Sequence, residues 1–323
     1  MDQTITRVDV AGVGLNATDT IIRLPHFPSF DSKVELLSAV VRAGGQAASA
    51  LVACQSWGLR TRYIGKAGDD SAAGFQADEF ARAGVEAHLL KVPDCSSQIA
   101  FILVDERTGE RTILWQRDAR LTMRPEEVKR DWIMNARVLL LDGHDTDAAT
   151  AAARFAREAG ISVVADLDSL YEGIQVLLEH VDFLMATRDF PARLTGQQDL
   201  LESLPEISRR FGCRVAGVTL GRQGALAWNG ERFLYCPGYV VRAIDTTGAG
   251  DIFHGGFVYA LLQGWPLARM LDFSCAAAAL NCTELGARGG VRPVSEIERL
   301  MREGNRSETA FDASELEKRR INT

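Results

Sequence analysis

Short apolar runs alternate with helically spaced segments through most of this chain. Residues 7–14 read as a buried strand that ends in glycines. Residues 62–65, Val138–Leu141, 162–165, 183–186 and 215–220 read the same way. Residues 147–159, 174–180 and Leu200–Phe211 carry helical spacing, with Gly160 and Gly212 as stops. Ser71–Ala83 reads as a helix closed by Gly84, and the Ala-rich stretch from Gly45 to Trp57 suits a tightly packed one. Strands that are apolar throughout are buried on both faces. The alternation therefore predicts an α/β fold, a mainly parallel sheet with helices on both faces. Ligands in such sheets bind at the carboxyl ends of the strands.

Two segments break this rhythm. Residues 20–43 hold Pro25, Pro28 and a partly alternating β-rich run at 33–42. Residues 98–105 and 111–116, joined at Thr108-Gly109, predict a β-hairpin. Together, about 20–43 and 98–117 read either as a small β-sheet beside the main body, able to act as a lid, or as an extension of the central sheet. Residues 1–323 otherwise read as one domain without internal repeats. Residues 304–323 form a polar tail, in which Ser314-x-x-Glu317 caps a last short helix or the chain frays.

Composition narrows the partners. The 323 residues carry a net charge of −7, so no basic surface for nucleic acid or membrane is expected. An anion can still be held locally at a helix N-terminus. The first seven residues lack an apolar signal core, and no apolar stretch is long enough to span a bilayer. The six cysteines form no Cys-x-x-Cys spacing, which argues against zinc or dithiol chemistry. Cys275 and Cys282 read as small buried groups on one helix face. A reducing cytoplasm is the expected location.

The chemistry concentrates in Asp245-Thr246-Thr247-Gly248-Ala249-Gly250-Asp251-Ile252-Phe253. An apolar strand at 239–244 is expected to run into the Gly248-Ala249-Gly250 turn, and a helix to follow it. The glycines let the backbone approach a ligand, and the free N–H groups of the new helix point outward. This arrangement is an anion hole for developing phosphate charge. Asp251, in the first helical turn, stands where a carboxylate can take a proton from a hydroxyl. A lone Gly-x-Gly-Asp would be read as a capping acid.

The longer string resembles the C-terminal signature of the ribokinase (PfkB) family of carbohydrate kinases. Ala43-Gly44-Gly45-Gln46-Ala47-Ala48-Ser49, with Trp57-Gly58 and Ile64-Gly65-Lys66-Ala67-Gly68-Asp69-Asp70, is similar to the N-terminal signature. The resemblance runs from about Val8 to Pro293 and implies a ribokinase-like fold, ATP and Mg²⁺ as cofactors, and a homodimer. By resemblance Asp251 is the catalytic base, with Gly248, Ala249 and Gly250 as the anion hole. Asp19, Gly44, Gly45, Gln46 and Ser49 face the sugar. Thr219, Gly221 and Gly224 contact ATP phosphates, and Cys282 and Gly286 lie near adenine. Asp245, Thr247, Glu284 and Gly286 are the candidates for a monovalent cation, with the need for K⁺ left open.

The sequence also departs from the pattern. Relatives carry Asn-x-x-Glu before Leu-Thr-Gly to organise magnesium. Here the stretch is Thr187-Arg188-Asp189-Phe190 before Leu194-Thr195-Gly196. Ala17, Gln46 and Ser49 replace the asparagines of ribokinases, and Asn16 lies one position off. The acidic cluster Asp142, Asp145 with His144 opposes a charged substituent and suits neutral hydroxyls. Arg117 is the one basic group placed to hold a sugar acid, against the plainer reading of a solvated arginine paired with Asp118. The expected activity is an ATP-dependent kinase for a small neutral sugar, a ketose such as fructose or a ribose-like one. A sugar acid (2-keto-3-deoxygluconate-like) or a nucleoside is the alternative substrate. A non-catalytic sugar- or nucleotide-binding relative is the alternative of another class. A dinucleotide-binding fold is suggested by Gly12-x-Gly14-x-x-Ala17 but disfavoured by the β-branched residues after it.

Overall fold

The computed structural model describes residues 7–319. Among the described residues thirteen strands form two sheets. In chain order they are β1 Val10–Val13, β2 Ala17–Leu24, β3 Ser38–Gly44, β4 Thr61–Ala67, β5 Glu86–Lys91, β6 Ile99–Asp105, β7 Arg111–Gln116, β8 Val138–Leu141, β9 Ser162–Leu167, β10 Phe183–Thr187, β11 Val215–Thr219, β12 Ala225–Trp228 and β13 Phe233–Cys236. The helices are α1 Gln46–Ser56, α2 Ser71–Ala83, α3 Arg130–Met134, α4 Thr146–Glu158, α5 Ile174–Leu178, α6 Phe190–Thr195, α7 Leu200–Phe211, α8 Ala249–Leu262, α9 Leu267–Asn281, α10 Val294–Glu303 and α11 Ala313–Lys318. None is long and apolar enough to cross a membrane.

The large sheet runs β13-β12-β11-β10-β9-β8-β1-β4-β5. Its strands are parallel except for the β12–β13 end. Because successive side chains of a strand point to opposite faces, each apolar run feeds two cores. Ala11, Val13, Leu139 and Leu141 pack with α4 and α7, while Val10, Val138 and Leu140 pack with α1, α8 and α9. From β1 the chain turns one way to β4 and β5 and later the other way to β8. The topological switch point therefore lies between β1 and β8, where such sheets open a crevice.

The two irregular segments form a separate sheet, ordered β3-β2-β6-β7. Its alternation sorts the faces. Val40, Ile21, Ile102 and Ile113 share one row, and Ile21 and Ile102 are buried in it. Val41, Thr20, Phe101 and Leu114 form the opposite row, in which the three apolar residues are exposed.

Several expectations need correction. A strand, β2, follows Gly14, so the Gly12-x-Gly14 string opens no helix and is no dinucleotide fingerprint. β3 starts at Ser38 rather than at residue 33. Residues 239–244 are not a strand. Val240 and Ile244 are exposed, and their N–H groups bond to Asn305 and Cys282 carbonyls instead of to a ladder. The last helix forms, but Asp312 caps it by accepting from the Ser314 N–H, 2.7 Å. Phe311 and Leu316 hold the tail against the core. Cys275 is buried in α9, whereas Cys282 is the residue that caps it.

Candidate active site

Two helix N-termini meet at the crevice. α8 begins after Gly248, and α1 begins after Gly45. The two helices approach closely because small residues face each other: the Cys54 thiol donates to the Gly255 carbonyl across 3.3 Å, and Ala50 lies against Gly255. Gly248 has φ +73°, and a side chain there would overlap Ala287. Nothing stands within 4 Å in front of Gly250, so the turn faces open space.

Asp245 ties this turn to the loop after α9. It is fully buried. One carboxyl oxygen accepts from the Thr247 N–H and hydroxyl at 2.8 and 2.6 Å, and the other from the Gly286 N–H at 2.8 Å. Asn281 adds bonds to the carbonyls of Thr247 and Ala287. Cys282 contributes its carbonyl, which accepts from Ile244 and Asp245, and burial pushes its thiol up to about 11. Glu284 is not brought to this cluster; it is exposed and paired with Arg292 at 3.0 Å.

Asp251 sits one residue beyond the turn. Among the described residues no hydrogen bond or ion pair engages its carboxyl group. Burial first, then the negative Asp166, raises its proton affinity to about 7, against the opposing pull of His254 and Arg111. His254, one helical turn on, is buried. Its Nδ1 lies 2.6 Å from the Gly250 carbonyl and 3.1 Å from Asp166, and its Nε2 lies 2.9 Å from the Met185 carbonyl. Arg111 of β7 reaches across to the Thr246 hydroxyl at 2.6 Å.

On the other side of the crevice Asp19 is buried against Gly44, where any Cβ would overlap its carboxyl group. Burial lifts Asp19 to about 6, although Arg288 pulls the other way. The Arg288 guanidinium donates to the carbonyls of Ala43 and Gly44 at 3.1 and 3.3 Å, and burial lowers it to about 10. Gln46 donates weakly to Asp168 at 3.4 Å. Asp168 accepts from Tyr171 at 3.0 Å, and the Tyr171 oxygen lies 3.1 Å from His144 Nδ1. Trp115 meets the His144 ring edge-on at 6.2 Å.

Other candidates land elsewhere. Ser49 is fully buried in α1 and offers no surface to a ligand. Asn16 is consumed by Tyr63 and Gln76. Arg117 pairs with neither solvent nor Asp118. It forms a two-pronged bond to Asp145 at 3.0 and 2.7 Å, which pins the end of the hairpin to the loop after β8. Asp118 pairs with Arg120 instead. Asp142 is buried, raised to about 7 by burial, and accepts from the N–H groups of Leu15 and His144. The acidic cluster is therefore already spoken for. Thr219, Gly221 and Gly224 form the tight connection from β11 to β12, at the carboxyl end of β11. Asp189, just after β10, is exposed, and among the described residues its side chain has no partner. No group of three metal-ligating side chains occurs among the described residues.

A family model for pfkB carbohydrate kinases matches residues 9–293, which include the strands, the Gly248–Gly250 turn and the loop after α9 just described. The chain belongs to the PfkB family of carbohydrate kinases. As a member it is a phosphotransferase with a hydroxyl acceptor, a sugar or nucleoside kinase that binds ATP. It is 28% identical over 285 residues to an ATP-dependent ribose-1-phosphate kinase from Halopiger xanaduensis, covering 87% of this chain and 94% of the relative. It is 25% identical over 294 residues to a 5-dehydro-2-deoxygluconokinase from Geobacillus kaustophilus, covering 83% and 87%. The fold is similar to that of ribokinase from Giardia lamblia, with a TM-score of 0.83 at 18% identity over 92% of this chain and 99% of that one. Not singled out from the sequence were His254, Asp166, Arg288 and the Asp168–Tyr171 partners of His144, which only folding brings together.

The raised affinity of Asp251 has a thermal consequence. A carboxyl group held near 7 in the fold, and near 4 when unfolded, costs stability that grows as pH rises from 4 to 7 and is fully present above 7. Asp251→Asn is expected to stabilise the fold by roughly 1–3 kcal/mol at pH 8 after allowance for solvent. The gain should vanish near pH 4. Equal melting temperatures of the two proteins at pH 8 would show that the site does not strain this carboxylate.

Proposed function

We propose that the protein is an ATP-dependent kinase of a small neutral sugar, with Asp251 as the general base. The observation that carries this reading is a carboxylate without a protein partner, set beside an open helix N-terminus. ATP lies along the strand ends with its phosphates at Thr219, Gly221 and Gly224, and its adenine near Cys282 and Gly286. The acceptor binds against Asp19, Gly44, Gly45 and Gln46. The β2–β3–β6–β7 sheet acts as the lid that keeps water out. Asp251 accepts the hydroxyl proton as the oxygen attacks the γ-phosphorus, and the N–H groups of Ala249, Gly250 and Asp251 hold the spreading charge. Mg²⁺ supplies further charge neutralisation, and Asp189 would hold it through water. A K⁺ ion would sit against the loops joined by Asp245, although direct bonds already tie them. Six free thiols suit a reducing cytoplasm.

Neutrality of the acceptor is argued from charge. Arg117 is neutralised by Asp145, and Arg288 is spent on two carbonyls, while Asp19 lacks a bonded partner. Such a set welcomes hydroxyl donors and penalises a phosphate or carboxylate on the acceptor. One observation favours a nucleoside as the second reading: Trp115, His144 and Tyr171 form an aromatic wall on which a base can stack.

ADP release, measured with ketoses, aldoses, sugar acids and nucleosides, tests the reading. A neutral sugar should support release, and Asp251→Asn should lose roughly 100- to 10,000-fold of it. Wild-type turnover in that variant, or release with sugar acids alone, would overturn the assignment.

The exposed row of Val41, Phe101 and Leu114 suits a homodimer joined through the outer face of the small sheet. Sedimentation should give twice the chain mass, and Phe101→Asp should give monomer. A wild-type protein that sediments only as monomer would refute the dimer.

A further inference from the structure

We propose that His254, held as an imidazolium against Asp166, is a positioning residue that keeps Asp251 in its ionised, proton-accepting form. This rests on the reading of Asp251 as the base.

The argument begins with the partners of the ring. Both nitrogens of His254 face oxygens: Gly250 O at 2.6 Å and Asp166 Oδ2 at 3.1 Å on the Nδ1 side, and Met185 O at 2.9 Å on the Nε2 side. The two carbonyl oxygens and the carboxylate are acceptors. A neutral imidazole has one N–H and one lone pair, so it would aim the lone pair at an oxygen whichever tautomer it took. Only the doubly protonated ring satisfies both sides. The ring is 2% exposed, so water cannot relieve a mismatch. Burial opposes the charge, yet Asp166 and the two carbonyls outweigh it and lift the ring to about 9.

The location gives the pair its purpose. His254 bonds the carbonyl of Gly250, the last residue of the turn before Asp251. One ring therefore fixes the strand ends of β9 and β10 to the start of α8. Its charge matters as well. The groups that act on Asp251 are Asp166 from β9, Asp19 from β2, Arg111 from β7, Arg288 from the closing loop, and His254 from its own helix. Asp166 disfavours an ionised Asp251, and the imidazolium offsets part of that effect. Without it, a buried negative charge would face the base and force a proton onto it. Gly250 supplies only a carbonyl oxygen to Nδ1, so the amide of an Asn at 254, whose Nδ2 takes the place of Nδ1, can bond it without restoring the charge.

The test uses full-length, ligand-free protein labelled with [¹³C]aspartate and ring-labelled histidine, titrated by NMR. Asp251 is assigned by the signal lost in Asp251→Asn. In the wild type the His254 ring should be doubly protonated at pH 7.5. In His254→Asn the Asp251 midpoint should rise by about one pH unit or more, which holds back roughly nine-tenths of the base at neutrality. In His254→Asn with Asp166→Asn the midpoint should return toward the wild-type value, because both charges are then gone. A purely structural histidine would not produce that return. If His254→Asn does not fold, the wild-type ring decides. A midpoint above pH 8 supports the proposal, and a ring neutral at pH 7 overturns it. An Asp251 midpoint that does not move in a folded His254→Asn also overturns it. None of these readouts needs turnover. Failure of the kinase reading would show instead as undiminished ADP release in Asp251→Asn.

Discussion

Four carboxyl groups meet at the crevice, Asp19 from the small sheet and Asp142, Asp166 and Asp251 from the carboxyl end of the large one, and the structure must compensate each of them. Removing a carboxylate from water is costly unless hydrogen bonds or an opposite charge replace the lost solvation. Each has a different solution. Asp142 takes backbone N–H groups from the ends of β1 and β8. Asp166 takes an imidazolium. Asp19 feels the nearby Arg288. Asp251 receives no bonded partner among the described residues, and burial raises its proton affinity to about 7. Hydrogen-bond donors are thus spent on Asp142 and Asp166, while Asp19 and Asp251 keep free acceptor capacity toward the crevice.

The scaffold follows from the same demand. The open N–H groups at the start of α8 are useful only if the turn before them is rigid. Asp245 supplies that rigidity from one side, through bonds to Thr247 and Gly286. The close approach of α1 to α8 at Ala50 and Gly255 supplies it from the other. That approach also sets the distance between the Gly44–Gly45 bend and the open N-terminus of α8. Arg288 and Arg111 then join the small sheet to the large one, each reaching a group of the opposite body.

Much of this architecture was legible in the sequence. Strands such as Val138–Leu141 are apolar at every position because both their faces are covered, and that pattern survives without any alignment. Ser71–Ala83 is bounded by Asp70 and Gly84, a side-chain cap and a left-handed stop, and its ends were readable to the residue. The turn at Gly248 and the start of the helix after it were readable because the glycines and the helix lie within a few residues. Residues 239–244 misled because apolarity there reflects a chain running over the surface, not a strand. The pairs that balance charge were out of reach. Arg117 and Asp145 stand 28 residues apart, and His254 and Asp166 stand 88 apart, so only the fold brings each basic group to its acid. Ser49 shows the converse. A local motif suggested a ligand contact, but the helix turns that side chain into the core.

The pH dependence of kcat/KM in the wild-type protein, measured with whichever acceptor supports ADP release, bears most directly on a single ionised carboxylate as the base. Activity should fall about tenfold for each pH unit below an apparent midpoint near 7, the value to which burial and Asp166 raise Asp251. A profile that stays flat down to pH 5 would contradict the account, because an Asp251 poised as described would by then be almost wholly protonated.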